Sequence, residues 1–421
     1  MASLALASLA LANLAAAKHA LGRALAILVL ASLAALPGSG LAAEECTNTG
    51  SFSGWLKGFK KEASAAGISE RTISNALAGI ELDPKIIARD RRQGFFAQDF
   101  GTFSKKLATN NRVTNGRKKI DKRKKHFERA EQEFGVPPEV LTAFWALESD
   151  FGKGMGDYSI LRALATLAYD CRRKELFTGE LIEALKILDK GWVKPSDMIG
   201  SWAGEMGQTQ FLPKHYLEHA VDYDGDGTRN LFASEPDIIG STAAFIKHLG
   251  WRRGEPWLQE VRVPGKLPWE KADLEVKLPR SQWADWGVTA ADGAPLTSDD
   301  LPASLLLPMG HKGPAFLAYP NFNIYVEWNN SLTYCITAAY LATRIAGADS
   351  MQGRDREIPI LSVDEAKDVQ RILTKRGYDV GKIDGIIGAK TRSAVKEMQL
   401  KYGLPADSFP TPELLSRLRN G

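Results

Sequence analysis

The stretch from Pro137 to Gly152 constrains the fold more than any other part of this 421-residue chain. Pro137-Pro138 starts a helix, and Val140, Leu141, Ala143, Phe144, Trp145 and Leu147 make it apolar on most sides before Gly152 ends it. A helix this apolar has to run through a core, yet it carries Glu148 near its end. An ionised glutamate is rarely buried without a partner. Desolvation disfavours the charged form, so Glu148 is expected to stay protonated near neutral pH, as a general acid must. The local sequence leaves equal room for a structural carboxylate paired with an arginine. Asp150, two positions on, points to a different side of a helix and cannot easily act with Glu148.

A second dense segment is Gly200-Ser201-Trp202-Ala203-Gly204-Glu205-Met206-Gly207-Gln208-Thr209-Gln210-Phe211-Leu212-Pro213. Small residues permit close backbone approach, hydroxyls and amides bond to sugar polar groups, and aromatic faces cover pyranose rings. A tightly packed helix junction would use the same residues.

The resemblance is carried by ordered motifs. They are Gly135-Val136-Pro137-Pro138, Leu147-Glu148-Ser149, Ala163 to Ala168, Arg172-Arg173, the Gly200 to Pro213 run and Trp328-Asn329-Asn330-Ser331. Over residues 52–347 the chain resembles the lytic murein transglycosylase B-type family of the lysozyme-like superfamily, whose members cleave peptidoglycan glycan strands. The resemblance implies a mainly α fold (α+β), lysozyme-like with small β elements. It also implies that Glu148 is the sole catalytic acid/base, that Ser201, Gln210 and Asn329 lie in the glycan cleft, and that Arg172, Arg173 and Tyr334 line it. Phe245 and Trp328 stand where some members carry tyrosines, which keeps stacking surface but removes two phenolic hydroxyls. Glu205 occupies a position that is often small and apolar, and a structural or cleft-tuning role is expected for it.

The implied reaction cuts the MurNAc-GlcNAc β-1,4 bond without water and leaves 1,6-anhydro-MurNAc ends. Two other readings stand beside it. A hydrolytic muramidase would normally need two carboxylates, and no evident partner to Glu148 appears in the sequence. A non-catalytic peptidoglycan-binding scaffold would be expected to lose its acid first.

Composition fits an exported enzyme with room for two or three domains. Hydrophobic residues make up 44% and charged ones 25%, and the formal net charge of +4 is too mild to indicate nucleic acid. The dense basic run of Arg117, Lys118, Lys119, Lys122, Arg123, Lys124, Lys125 and Arg129 reads as a solvated helix face. At the N-terminus, Lys18 and Arg23 precede an uncharged run from Ala24 to Leu36, followed by small residues up to Ala43. Residues 1–43 therefore read as a cleaved signal peptide, with a periplasmic destination and no membrane span after processing. Glu45 before Cys46 argues against a lipid anchor. Cys335 lies in an apolar stretch and reads as a buried thiol, which leaves Cys46 to pair with Cys171.

Asp222, Asp224 and Asp226, followed by Gly227 and Thr228, open like an EF-hand calcium loop. The twelfth position is Ala233 rather than glutamate. In the resembling enzymes the last carboxylate comes late, which maps onto Asp237. The expectation is a structural Ca2+ with no cofactor required for chemistry.

Residues 348–359 read as a linker between a catalytic domain (44–347) and a small unit over 360–421. Ser362 and Glu365 form a capping box, with Ala366, Val369 and Leu373 on one face, and Thr411-Pro412 opens another helix. Thr391 is expected to cap the middle helix, with Ala394, Val395 and Met398 facing inward. Through Val369-Gln370, Gly377-Tyr378, Ile383-Asp384-Gly385, Gly388 and Gln399 this unit resembles a three-helix peptidoglycan-binding domain. Peptidoglycan strands are the expected partner of what is expected to be a monomer.

Overall fold

The computed structural model describes residues 50–91, 98–352 and 358–421. The expected signal peptide, Cys46 and most of the expected linker lie outside the described residues. Where described, the chain is mainly helical, with a two-stranded ribbon, a five-stranded sheet and three hydrophobic cores.

The acid-bearing helix Pro138–Ser149 lies at the centre of the first core, and every residue from Val140 to Ser149 is buried. Helices Asn110–Lys122 and Leu332–Ile345 pack against it. Pro138 sits at the first helical position, where its missing N–H costs nothing. The helix ends earlier than Gly152. Asp150 already takes the left-handed conformation, with φ of 50°, and Phe151 follows at 61°. Such turns cost a non-glycine residue free energy, and here Asp150 is held by Arg112, 3.4 Å away.

The sheet is antiparallel throughout, in the order Leu278–Pro279, Pro302–Leu306, Ala315–Ala318, Leu258–Arg262 and Thr289–Ala290. Strand Ala315–Ala318 is apolar and buried on both faces. Leu306, Phe316 and Ala318 join the helical core, whereas Leu305, Ala315 and Leu317 join a second core built on Trp269 and Trp283. The period-two alternation of side chains thus ties one sheet to two cores.

The basic run is not a uniformly solvated face. It is split between helices Asn110–Lys122 and Lys124–Phe134, and Lys119 and Arg123 both bind Glu235 at 2.5 Å. Arg117 donates to the backbone carbonyls of Arg344 and Ile345, closing the C-terminal end of a core helix.

The C-terminal unit holds helices Val363–Lys375, Ala389–Lys401 and Pro412–Asn420 around Val369, Leu373, Val395, Met398 and Leu414. The Ser362–Glu365 capping box is formed. Thr391 is not the cap of the middle helix: Gly388 holds that position, and the buried Thr391 hydroxyl donates to Val380 O. The unit is also docked on the body. His311 N and Nδ1 both meet Asp407 Oδ2, at 2.9 and 2.6 Å, Lys396 pairs with Asp273, and Phe409 packs onto the first core.

Candidate active site

Glu148 is 8% exposed. Two donors distant in sequence converge on its Oε1: the Trp328 indole N–H at 2.9 Å and the Tyr334 hydroxyl. Trp328 ends helix Phe322–Trp328, and Tyr334 lies in the first turn of the next helix, whose cap is Ser331. No donor among the described residues reaches Oε2. Burial pushes the Glu148 carboxyl up to about 7, with the bonds from Tyr334 and Trp328 opposing the rise. The arginine-paired alternative is not what surrounds this carboxylate.

An aromatic wall backs the acid. Phe144 lies 4.3 Å from Trp328 between ring centroids, and Phe211 and Phe245 lie 5.7 and 5.4 Å from it. The departure at Trp328 therefore keeps a donor as well as a ring, since the indole N–H bonds to Glu148 directly.

The Gly200–Pro213 segment crosses the end of the acid helix. Gln208 fastens the two together: its Oε1 accepts from Trp145 Nε1 and its carbonyl from Ser149 Oγ, at 2.8 and 2.6 Å. Gly204 has φ of 84°, and a Cβ there would stand 2.2 Å from Leu164 Cδ2, so only glycine fits. Ser201 Oγ accepts from Ala203 N and Glu205 N, which commits its acceptor side to the turn. Gln210 takes φ of 52° and donates to Gly207 O, while its Oε1 is buried without a partner. Asn329 Oδ1 caps Ser331 N at 2.8 Å, and its Nδ2 is likewise buried and unpartnered. Buried amide atoms without a partner are the kind of groups a sugar can satisfy.

Glu205 was not evident as a neighbour of Glu148. It is fully buried, both carboxyl oxygens lack partners, and burial together with the nearby Glu148 pushes it up to about 8. Both of its carboxyl oxygens are shut off from solvent, which argues against a role as nucleophile or base. Arg172 and Arg173, expected to line the cleft, are adjacent partners of one carboxylate. Both are held by buried Asp90, with Arg172 Nε at 2.6 Å, because an unpaired buried carboxylate would be costly. Arg172 keeps 40% of its side chain exposed, whereas Arg173 is at 20%.

In the acidic loop, Asp222, Asp224 and Asp237 bring one oxygen each within 4.8 Å of one another. Asp237 is buried; burial raises its carboxyl, and Asp224 and Asp222 add to the rise. Asp226 does not join them: it turns away to accept from Thr228 N and Oγ1, both at 2.7 Å. Three converging acids fit a calcium ion, but Asp226 and Thr228 lie outside the cluster as it stands.

Cys171 is disulfide-bonded and Cys335 is a buried free thiol. Cys46 lies outside the described residues.

A buried acid at the end of a core helix in a mostly helical body, with an amide-rich turn and an aromatic wall around it, defines a lysozyme-like glycan-cleaving domain. The chain belongs to the transglycosylase SLT domain family, whose model matches residues 51–343; a peptidoglycan binding domain model matches residues 362–418. It is 34% identical over 245 residues to the membrane-bound lytic murein transglycosylase B of Escherichia coli (strain K12). That match covers 58% of this chain and 66% of the relative, just under two thirds. The structure of SltB3 from Pseudomonas aeruginosa in complex with NAG-anhNAM-pentapeptide is 40% identical, with a TM-score of 0.81 over 88% of this chain and 99% of that one. Escherichia coli SLT35 in complex with calcium is 31% identical, with a TM-score of 0.59 over 69% of this chain and 92% of that one.

Proposed function

We propose that this chain cleaves the β-1,4 bond between MurNAc and GlcNAc in peptidoglycan without water, leaving 1,6-anhydro-MurNAc ends. The observation that carries the proposal is Glu148, buried, raised to about 7, and hydrogen-bonded at one oxygen only. The protonated carboxyl gives its proton to the bridging oxygen, and the C1–O bond breaks. The carboxylate left behind is stabilised by Trp328 and Tyr334, and it then takes the proton of the MurNAc C6 hydroxyl as that oxygen closes on C1. One proton is given and one returned, so a single carboxylate completes the cycle. Gln210 Oε1 and Asn329 Nδ2 orient the sugar and its N-acetyl group, Ser201 holds the turn that carries Gln210, and Phe245 and Trp328 supply the wall.

A hydrolase would require a second carboxylate in contact with water. Glu205 is the neighbouring candidate, and its burial denies it that contact. The related SltB3 structure, which holds an anhNAM fragment, supports the anhydro product. The test is Glu148→Gln, which keeps the shape without a carboxylic proton. Activity should fall by orders of magnitude while glycan binding persists, and near-parental turnover would remove Glu148 from the mechanism.

The same reading assigns a structural Ca2+ to Asp222, Asp224 and Asp237, with Asp226 and Thr228 rotating in when the ion binds, and no cofactor to the chemistry. Calcium in the related SLT35 structure supports this. Residues 1–43 direct export to the periplasm, residues 44–347 cleave, and residues 360–421 hold the wall. Among the described residues no helix is long and apolar enough to cross a membrane. Cys46 pairs with Cys171, because Cys335 is free and the chain has three cysteines.

A further inference from the structure

Directly after the cleft turn comes the short helix Pro213–His219, which carries His215, Glu218 and His219. Positions three and four apart share a helix face, so these three side chains project together. One ligand atom from each lies within 4.8 Å of the others. His219 Nε2 is 3.7 Å from Glu218 Oε2. That is too long for a hydrogen bond but close to the roughly 3.3 Å between two ligands of one tetrahedral zinc ion. His215 Nδ1 is buried with no hydrogen-bond partner. A fourth donor is near: His248, at the end of helix Glu235–His248, has its ring centroid 4.3 Å from that of His219.

We propose that His215, Glu218 and His219, with His248 beside them, bind a divalent transition metal of the zinc class. Two imidazoles and one carboxylate suit Zn2+, Co2+ or Ni2+, whereas the all-oxygen acidic loop suits Ca2+. The two sites therefore select different ions.

The site lies behind the glycan wall. Phe245 has its ring 4.6 Å from His215, 5.0 Å from His219 and 5.4 Å from Trp328, whose N–H bonds to Glu148. A bound ion would draw the two imidazoles together and clamp the ring that supports the Trp328 face.

Tag-free full-length protein, stripped with chelator, is titrated with Co2+ and followed by visible absorption, with Zn2+ competition and calorimetry in parallel. The expected result is a four-coordinate cobalt band that saturates at one equivalent, is displaced by Zn2+, and is unaffected by excess Ca2+. His219→Gln should weaken Zn2+ binding by at least about tenfold, and Asp224→Ala should leave it unchanged. The metal-free melting temperature shows that each variant is folded. Should His219→Gln fail that check, Glu218→Gln, at a largely exposed position, carries the same expectation. No cobalt band in the parent, or binding undiminished in the folded ligand variant, overturns the proposal.

Discussion

The Trp328 indole N–H donates to Glu148 Oε1 at 2.9 Å, across 180 positions of sequence. An indole can donate but not accept, so this contact favours the carboxylate over the acid and moderates the rise caused by burial. Removing it with Trp328→Phe should raise the Glu148 pKa and shift the alkaline limb of kcat/KM, expected at about 7, to higher pH. Losing a hydrogen bond to a developing charge costs about 1.5–3 kcal/mol, so kcat should drop roughly 10- to 100-fold. A pH–rate profile of the variant measures both effects, and an unmoved limb would show that the indole does not address the titrating acid.

Glu205→Gln separates the single-acid account from a two-carboxylate one. The Glu205 carboxyl is raised by burial and then by Glu148, so its contribution to stability is full only below the ordinary glutamate range and is lost progressively from there until pH passes about 8. The glutamine variant should therefore match the parent's melting temperature near pH 4, exceed it by a margin that grows until about pH 8, and keep most of its activity near pH 7. A loss of several orders of magnitude would make Glu205 a catalytic partner.

How far local sequence reaches is visible in these two carboxylates. Glu148 stands out because an acid at the end of an apolar helix is conspicuous within a dozen residues, and the Ser362–Glu365 box is equally local. Trp328 and Tyr334 meet Glu148 only through the packing of three helices, and Glu205 comes near it only because glycines let a turn pass close. Asp90 gathers Arg172 and Arg173 across more than 80 positions, and no periodicity marks it. Thr391 misled because a threonine near a helix start reads as a cap, whereas tertiary burial gave its hydroxyl another acceptor.

Calcium should stabilise the fold through the Asp222, Asp224 and Asp237 cluster. At a concentration 100 times its Kd, the gain is about 2.7 kcal/mol. Differential scanning calorimetry should show a rise in Tm with Ca2+ and a fall with chelator, and Asp224→Ala should remove both while leaving catalysis measurable. No shift in either direction would return the loop to a polar turn.

The C-terminal unit has its own core but also a polar seam on the body, formed by His311 with Asp407 and Lys396 with Asp273. A chain ending near Gly353 should cleave soluble glycan fragments at the parental rate and intact sacculi more slowly, since tethering raises local concentration without adding a catalytic group. Its Tm should fall because the seam is exposed. Loss of cleavage on soluble fragments would mean that the unit helps form the cleft.

Mass spectrometry of the products released from purified sacculi tests the central claim most directly. Return of the Glu148 proton through the C6 hydroxyl predicts MurNAc ends in the 1,6-anhydro form, absent when Glu148→Gln protein is used. Reducing MurNAc ends, one water heavier, would show that water rather than the sugar's own hydroxyl attacks C1, and would contradict the account.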